Sequence, residues 1–303
     1  MRHFFNTLRQ IANSDSVGLA RGVSRHLAWQ ARKIFDGFPC ELSLGKSRLY
    51  VDDANSVAAL VNAMGRYDFN NMCFLESMLR LYGGVFVDVG ANIGSYTLLA
   101  SEIPSCLVLS IEPHPRAYQI LSENIRRNGR TNVRSFNAAL SSQNGSCSFT
   151  DGRDLALNHV AADRESASNS LTVPSRTLQS ICNEMGIVPD FIKIDVEGHE
   201  EAVLDGFGEF VSAARVIWIE GGERPAIRQK LCAAGYIGPS YVHYSAMRLK
   251  RTPTARAEDP VYLHAGALLD LERNGYTVEG GSAAQPKPST KVTSVGSEGL
   301  QFR

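Results

Sequence analysis

The spacing of apolar and polar residues over the first eighty positions predicts helices and one β-hairpin. Residues 1–35 carry apolar residues at mixed spacing with Arg or Lys between them, and both this segment and residues 53–81 are predicted to be helical. Between them, residues 40–52 alternate apolar and polar positions around Leu44-Gly45-Lys46, which is typical of a hairpin. Tyr82-Gly83-Gly84 then favours a helix end. We therefore expect residues 1–80 to form a helical and hairpin extension, which can act as a lid or a substrate cap.

After residue 81, short apolar runs alternate with helical patterns. The predicted strands are Val85–Val89, Leu107–Glu112, Val133–Phe136, Phe191–Asp195 and Val216–Glu220. The predicted helices are Ser95–Ile103, Pro115–Asn128, Ser175–Met185, His199–Ala214 and Arg224–Ala234. Several strands are apolar almost throughout, as they are when helices cover both faces of a sheet. The alternation predicts an α/β fold with an open, doubly wound, mostly parallel sheet across residues 81–265.

The remaining segments have weaker patterns. Ser146–Val173 is predicted to form short strands and a polar loop, and Tyr241–Tyr244 and Val261–His264 a final strand pair. Ser175, after a proline, is the expected N-cap of its helix. Residues 266–303 are rich in Gly, Ser, Thr and Pro, so we expect a largely disordered tail. Within it, ALLDLERNGY can still be helical.

Composition places the chain among ordinary globular enzymes. It has 303 residues with 31 basic and 31 acidic side chains, and this balance does not favour a nucleic-acid partner. No apolar run approaches the roughly 18 residues of a membrane span, and the amino terminus does not resemble a signal peptide. Six cysteines are scattered without a CxxC pair, so we expect reduced thiols, no zinc site and a cytoplasmic protein. The pattern indicates no particular oligomeric state.

A glycine-rich turn follows the first core strand in GGVFVDVGANIG. Ligands of doubly wound sheets bind at the carboxyl ends of the strands, so Asp88, Gly90 and Gly94 are candidates. The dinucleotide fingerprint G-x-G-x-x-G would need a middle glycine, and here Ala91-Asn92-Ile93 stands between the two glycines. The turn therefore favours a ligand with ribose and base but no phosphate.

A second acid supports a nucleoside ligand. Glu112 ends the next strand, 24 positions after Asp88, at about the distance where an acid accepts hydrogen bonds from ribose hydroxyls. The alternative is a water-exposed carboxylate at a strand end. At the level of function, the alternatives are a nicotinamide-dependent oxidoreductase and a non-catalytic module that binds the nucleoside.

The segments VFVDVGANIGSYTLLAS, IEPHPRAYQILSENIRRNG and FIKIDVEGHEEAVLDGF resemble the FkbM family of S-adenosylmethionine-dependent methyltransferases. The resemblance covers about Leu79–Glu220. It implies a Rossmann-like class I methyltransferase fold, whose seven-stranded sheet has an antiparallel last strand. It also implies S-adenosyl-L-methionine as cofactor, and methyl transfer to a hydroxyl of a sugar or a polyketide-type molecule.

The resemblance also implies roles for single residues. The residues that match the cofactor-binding positions are Asp88, Gly90, Asn92, Gly94 and Glu112, with Ala138 and Ala139 where such folds flank the adenine. Asp195 matches the acid beside the methyl-bearing end of the cofactor.

The segment KIDVEGHE brings Asp195, Glu197 and His199 to one strand-to-helix turn. A hydroxyl needs to lose its proton before it attacks well, so a general base is expected here. His199 suits this role because imidazole titrates near neutral pH, and Glu197 is the alternative. Lys193, in a buried strand, is expected to form a structural ion pair.

Other polar residues near this edge have weaker assignments. Asp195, Glu197 and Glu220 can together offer oxygens to Mg²⁺, but their spacing does not establish a site and we expect no metal. Residues 67–69 are expected to cover the cofactor pocket. The sequence as a whole thus predicts an O-methyltransferase that acts on a small-molecule or glycan hydroxyl, without a nucleic-acid partner.

Overall fold

The structure is a computed structural model of the full chain. It describes residues 7–8, 11–12, 17–35, 37–52, 56–152, 154–161, 170–251 and 259–279. Among these residues, no helix combines the length and apolar character that crossing a bilayer requires.

Between residues 17 and 82, the described part of the chain forms three helices and the predicted hairpin. The elements are α1 (Leu19–Ile34), β1 (Cys40–Leu44), β2 (Ser47–Val51), α2 (Ser56–Met64) and α3 (Phe69–Tyr82). Strands β1 and β2 pair antiparallel around a turn in which Gly45 has a φ of 59°. The helical pattern of residues 53–81 is divided between α2 and α3, because the chain turns at Gly65, where φ is 72°.

The described residues after 83 build a nine-stranded central sheet with helices on both faces, and three strands between residues 139 and 176 form a separate small sheet. The strands are β3 (Gly84–Val89), β4 (Cys106–Ile111), β5 (Val133–Phe136), β6 (Ala139–Leu140), β7 (Gly145–Thr150), β8 (Ser170–Arg176), β9 (Phe191–Ile194), β10 (Val216–Ile219), β11 (Tyr236–His243), β12 (Arg248–Lys250), β13 (Val261–His264) and β14 (Thr277–Val278). The helices are α4 (Ser95–Ser101), α5 (Pro115–Arg127), α6 (Leu178–Met185), α7 (Glu200–Asp205), α8 (Pro225–Ala233) and α9 (Ala265–Arg273).

The sheet has the topology that the resemblance implies. Its order is β14-β12-β11-β13-β10-β9-β3-β4-β5, and β3, β4, β5, β9 and β10 are parallel to their neighbours within this group. Strand β13 lies antiparallel between β10 and β11. The seven strands from β5 to β11 are the expected set. The expectation of seven is wrong for the whole sheet, which has nine strands because β12 and β14 extend it beyond β11.

Three element boundaries differ from prediction. Ser175 does not cap a helix, because β8 continues to Arg176 and pairs with β7; Thr177 caps α6 by accepting a hydrogen bond from the Ser180 N–H at 3.0 Å. The helix predicted at 199–214 ends at Asp205 and continues as a 3-10 turn, Gly208–Ser212. Strand β11 meets β13 only between residues 236 and 240, and its second half pairs with β12.

Each face of the sheet has its own hydrophobic core. On one face, Phe86 and Phe191 lie in a cluster with Trp29, Leu49 and other apolar residues of the amino-terminal helices and hairpin. On the other face, alternate residues of the same strands pack against α6, α7 and α8. The amino-terminal extension therefore contributes to the same core as the sheet. Division after residues 80 and 265 stays a prediction, and the tail beyond residue 279 lies outside the described residues.

Candidate active site

A row of polar residues crosses the sheet just below the carboxyl ends of its central strands. Asp88 of β3 stands beside Ser110 of β4 and Lys193 of β9. Asp88 is 1% exposed, and its carboxylate accepts a hydrogen bond from the Thr97 hydroxyl at 2.7 Å. Burial raises the pKa of Asp88, although Lys193 and Thr97 oppose the shift. This row forms the polar floor of the site.

Gly90 lies where two strand ends come closest. Its φ is 79°, and a Cβ at this position would overlap the carbonyl oxygen of Asp195. The N–H groups of Gly90 and Ala91 both donate to the carbonyl of Ile111 at 3.0 Å. Glycine is therefore required both by its conformation and by the close approach of the neighbouring strand.

The glycine turn also orients Glu112. The N–H of Asn92, a residue with a φ of 51°, donates to Oε2 of Glu112 at 2.8 Å, and the N–H of His114 donates to Oε1 at the same distance. Glu112 is 5% exposed, so the alternative of a water-exposed carboxylate is wrong. Burial raises its pKa to about 7, against the effect of the two N–H donors. Each oxygen keeps a free lone pair for a ligand hydroxyl.

A cavity opens at this edge of the sheet. Its walls include every predicted cofactor-binding residue except Gly94, and all three predicted catalytic residues: Asp88, Gly90, Asn92, Glu112, Ala138, Ala139, Asp195, Glu197 and His199. Gly94 instead begins α4, with a φ of 95°, and packs close to Leu121. The structure thus brings together residues that are more than a hundred positions apart in sequence.

Asp195 is paired with the lysine of its own strand. The Nζ of Lys193 lies 2.6 Å from Oδ2 of Asp195, and it also lies 4.8 Å from the centre of the Tyr96 ring. Burial alone would lower the pKa of Lys193, but attraction to Asp195, Asp259 and other acids raises it above its ordinary value. Lys193 is therefore charged and forms the expected ion pair. Unlike a purely structural pair, however, it lines the cavity.

His199 and Glu197 differ in their surroundings. The Nε2 atom of His199 lies 3.0 Å from the Ser141 hydroxyl, and burial lowers the pKa of His199 despite attraction to Glu200. An imidazole that is neutral at pH 7 is able to accept a proton. Glu197 is exposed and has a φ of 52°. Both residues reach the cavity from the turn that follows β9.

Three carboxylates meet beside the cavity. One oxygen from each of Asp195, Glu197 and Glu220 lies within 4.8 Å of the others. Burial raises the pKa of Glu220 to about 8, with repulsion from Asp195 and Glu197 adding to the shift. Three carboxylate oxygens are ligands that a hard cation such as Mg²⁺ prefers. Protonation of Glu220 also relieves the repulsion among the three carboxylates. The expectation of no metal therefore stays a prediction.

Sequence analysis did not identify the part of the cavity wall that comes from β7 and from the segment between β7 and β8. Phe149, Leu155, Asn158 and Val160 come from the segment that was predicted only as strands and a loop. Asn158 holds this segment together by accepting a hydrogen bond from the Gly152 N–H at 2.6 Å. No periodic pattern marks these residues, so only tertiary packing brings them to the cavity.

The amino-terminal extension also reaches the cavity. Tyr67 lines it together with Ser95 and Tyr96, and the Tyr67 hydroxyl lies 3.4 Å from the Ser95 hydroxyl. Asp68 accepts a short hydrogen bond from Tyr96. Of the residues expected to cover the pocket, Tyr67 contributes to its wall directly and Asp68 positions a neighbour.

The strand order, the antiparallel β13 and the acids at the strand ends define a class I methyltransferase fold. A family profile described as Methyltransferase FkbM domain matches residues 88–237. Hexuronic acid methyltransferase AglP of Haloferax volcanii is 32% identical over 207 residues, which are 67% of this chain and 82% of that protein. Methyltransferase sdnD of Sordaria araneosa is 27% identical, over 50% of this chain and 72% of that one. The chain belongs to the FkbM methyltransferase family and is an S-adenosylmethionine-dependent methyltransferase.

Solved structures are also similar to this chain. One is precorrin-6y C5,15-methyltransferase of Geobacter metallireducens, with a TM-score of 0.35 and 16% identity over 55% of this chain and 71% of that one. Another is TYW2 of M. jannaschii in complex with AdoMet, with a TM-score of 0.35 and 19% identity over 65% of this chain and 73% of that one.

Proposed function

We propose that the chain transfers the methyl group of S-adenosylmethionine to a hydroxyl of a small molecule or glycan. The observation that carries the proposal is the cavity in which the buried Glu112 and the Lys193-paired Asp195 follow β4 and β9, the two strands on either side of β3. The acceptor chemistry is supported by AglP, which acts on a hexuronic acid. No nucleic-acid partner is proposed, because the chain has equal numbers of acidic and basic residues.

The donor set suits a nucleoside without phosphates. Glu112 can accept hydrogen bonds from both ribose hydroxyls, and its orientation is already set by the Asn92 and His114 N–H groups. Ala138 and Ala139, 4% and 3% exposed, offer an apolar wall for the adenine. Gly90 leaves room that any other residue would fill. These features support our assignment of the residues that bind the cofactor.

The residues after β9 are proposed to act on the acceptor. When bound, S-adenosylmethionine supplies an activated methyl group on a positively charged sulfur. Asp195, whose carboxylate Lys193 fixes, would orient the acceptor beside the methyl-bearing end of the cofactor. His199 or Glu197 accepts the hydroxyl proton as the oxygen attacks. The walls of the cavity exclude water from the reacting atoms.

The two alternatives have less support. A nicotinamide cofactor would need close approach of backbone to a pyrophosphate, and the fingerprint glycine for that approach is absent. A non-catalytic module would not need three ionisable residues at the end of β9. We propose a catalytic protein for this reason.

The experiment that tests the function follows the methyl group. The full-length protein is incubated with S-adenosylmethionine labelled in its methyl group, together with sugars, glycans and metabolite extracts, and labelled products are identified by mass spectrometry and NMR. We expect a methyl ether on a hydroxyl. A label on nitrogen, carbon or nucleic acid would contradict the proposed acceptor, and the absence of any label with intact cofactor binding would favour the non-catalytic alternative.

The raised pKa of Glu112 predicts that cofactor binding depends on pH. Only the ionised carboxylate accepts hydrogen bonds from both ribose hydroxyls, and its pKa is about 7 in the absence of cofactor. Affinity for S-adenosylhomocysteine should therefore fall by up to tenfold per pH unit below that value. Calorimetric titrations with S-adenosylhomocysteine at a series of values between about pH 5 and pH 8 measure this dependence.

The matched variant is Glu112→Gln, which keeps the shape of the side chain and removes its titration. We expect weaker binding that no longer changes with pH. If the wild-type protein binds equally at all pH values, or if the variant keeps the wild-type slope, Glu112 is not the group that senses pH.

His199 and Glu197 can be separated as candidate bases. If His199 accepts the proton, His199→Ala lowers kcat by about a hundredfold or more, while affinity for S-adenosylhomocysteine is unchanged. Glu197→Gln would then have a small effect, because its exposed side chain has no other role in the proposal. The measurement is kcat and KM for both variants against pH. The reverse pattern would assign the base to Glu197.

A further inference from the structure

Helix α1 presents an apolar stripe to solvent. Leu19, Val23, Leu27 and Ile34 are spaced at i, i+4, i+8 and i+15, so they lie on one side of the helix. Leu19, Leu27 and Ile34 are 57%, 54% and 74% exposed, and Phe35 at the helix end is 80% exposed. Val23 is half-buried. These four exposed side chains lie within 17 consecutive residues.

Most of the stripe lies outside the face that holds α1 to the protein, although Val23 packs against the cluster of Ile11, Ala63 and Met64. Gly22, His26 and Trp29, at i, i+4 and i+7, are the buried residues of the helix, and they point to a different side. Trp29 packs against Phe38 and belongs to the core that includes the sheet. Packing of the helix therefore accounts for Val23 but not for the exposure of Leu19, Leu27 and Ile34.

A third side of the same helix is basic. Arg21, Arg25 and Arg32 are spaced at i, i+4 and i+11, and Lys33 follows. No acidic residue occurs between Leu19 and Phe35. Residues 1–35 hold six of the 31 Lys and Arg residues of the chain but only one of its 31 acidic residues. In a protein of zero formal net charge, this end is positively charged and the remainder is negatively charged.

We propose that the exposed face of α1 binds an anionic lipid surface. Arg21, Arg25 and Arg32 lie on the side of the helix opposite the stripe. A helix that lies flat on a lipid surface inserts its apolar side among the acyl chains, while the long Arg and Lys side chains of its remaining surface reach the phosphates. The 16 residues of α1 extend for about 24 Å, which gives a flat membrane contact along the stripe. A second copy of the chain is a poorer occupant, because pairing of two such helices brings like charges together. The catalytic cavity is not part of this surface.

The test is co-sedimentation of the full-length protein with vesicles. Vesicles of phosphatidylcholine alone are compared with vesicles of equal parts phosphatidylcholine and phosphatidylglycerol, at low and high salt. We expect binding to the anionic vesicles, weakened by salt, and little binding to the neutral ones. Equal binding to both kinds of vesicle, or binding to neither, would overturn the proposal.

Two pairs of substitutions locate the contact. Arg21→Gln with Arg25→Gln should lower the partition coefficient by about thirtyfold, since each basic residue near an anionic surface contributes about fivefold. Leu27→Ser with Ile34→Ser should lower it by about tenfold or more. The control pair is Arg248→Gln with Arg273→Gln, which removes two exposed arginines elsewhere in the fold and should leave vesicle binding unchanged.

Circular dichroism and binding of S-adenosylhomocysteine show whether the variants are folded. If the α1 variants fold and still bind vesicles as the wild type does, another surface makes the contact and the proposal is wrong. A dimer in light scattering that Leu27→Ser with Ile34→Ser abolishes would assign the stripe to a second copy instead. Neither result bears on methyl transfer, which is measured separately.

Discussion

Asp195→Asn is expected to lower kcat by about a hundred- to ten-thousand-fold, with S-adenosylhomocysteine still bound. The amide has the shape of the carboxylate but lacks its negative charge and replaces one acceptor oxygen by an NH2 donor, so it pairs poorly with Lys193 and orients the acceptor poorly. Steady-state kinetics with an acceptor that the wild-type protein methylates measure kcat, and calorimetry with S-adenosylhomocysteine measures cofactor binding. Wild-type turnover in this variant would show that our assignment of Asp195 is wrong.

Folding of the Asp195 variant has to be separated from catalysis. Loss of one partner of a fully buried ion pair costs about 3–5 kcal/mol, and less is expected here because the Asp195 side chain is 35% exposed. Replacement of both partners, as Asp195→Asn with Lys193→Met, removes the pair but also the cation beside the buried Asp88 and Asp259, so we expect this double variant to regain only part of the stability and none of the activity. Asp205→Asn is the control, since Asp205 pairs with Lys230 at the surface of α7.

Lys193→Met alone then reports on positioning. This variant keeps the Asp195 carboxylate but removes the ammonium that fixes Oδ2. We infer that kcat falls, by less than in Asp195→Asn, because a carboxylate free to rotate holds the acceptor oxygen in line less often. The pH profile of kcat should also shift, since the cavity loses a buried cation among its acids.

The central strands of the fold could be predicted from the sequence because each one is marked by a short apolar run of its own residues. Five apolar runs gave the five parallel strands, and Pro115 in the first turn of α5 and Gly186 after α6 marked helix boundaries as expected. The boundaries that failed depend on pairing with distant residues. Strand β8 extends to Arg176 because β7 is beside it, and β11 divides its length between β13 and β12.

The residues of the candidate site likewise divide into those that the local sequence marks and those that only tertiary packing brings to the cavity. Asp88, Glu112 and Asp195 end neighbouring parallel strands, so the position of each along its strand was enough to bring them together. Phe149 and Val160 carry no such signal, because they reach the cavity only after the β7–β8 segment folds over the strand ends. The burial of Lys193 predicted an ion pair without naming its partner, whereas the pairing with Asp195 and the closeness of Lys193 to Tyr96 and Tyr67 are seen only in the folded chain.

The second large effect is expected for Gly90→Ala. A Cβ at this position would overlap the carbonyl oxygen of Asp195, and a φ of 79° is unfavourable for any residue with a side chain. Relief of the overlap requires the ends of β3 and β9 to move apart. We expect the free energy of unfolding to fall by about 2–4 kcal/mol and binding of S-adenosylhomocysteine to be lost.

Gly186→Ala is the matched control for the cost of placing a side chain on a residue with positive φ. Gly186 has a φ of 64° at the end of α6, and no heavy atom lies within 4 Å of where its Cβ would be. This variant should lose only about 1 kcal/mol of stability and bind S-adenosylhomocysteine normally. Thermal unfolding and calorimetry compare the two proteins. Both glycines have positive φ, so the difference in stability loss between the two variants measures the contact between the strand ends at Gly90. Equal stability losses, with cofactor binding intact in both variants, would mean that this contact does not shape the cofactor site.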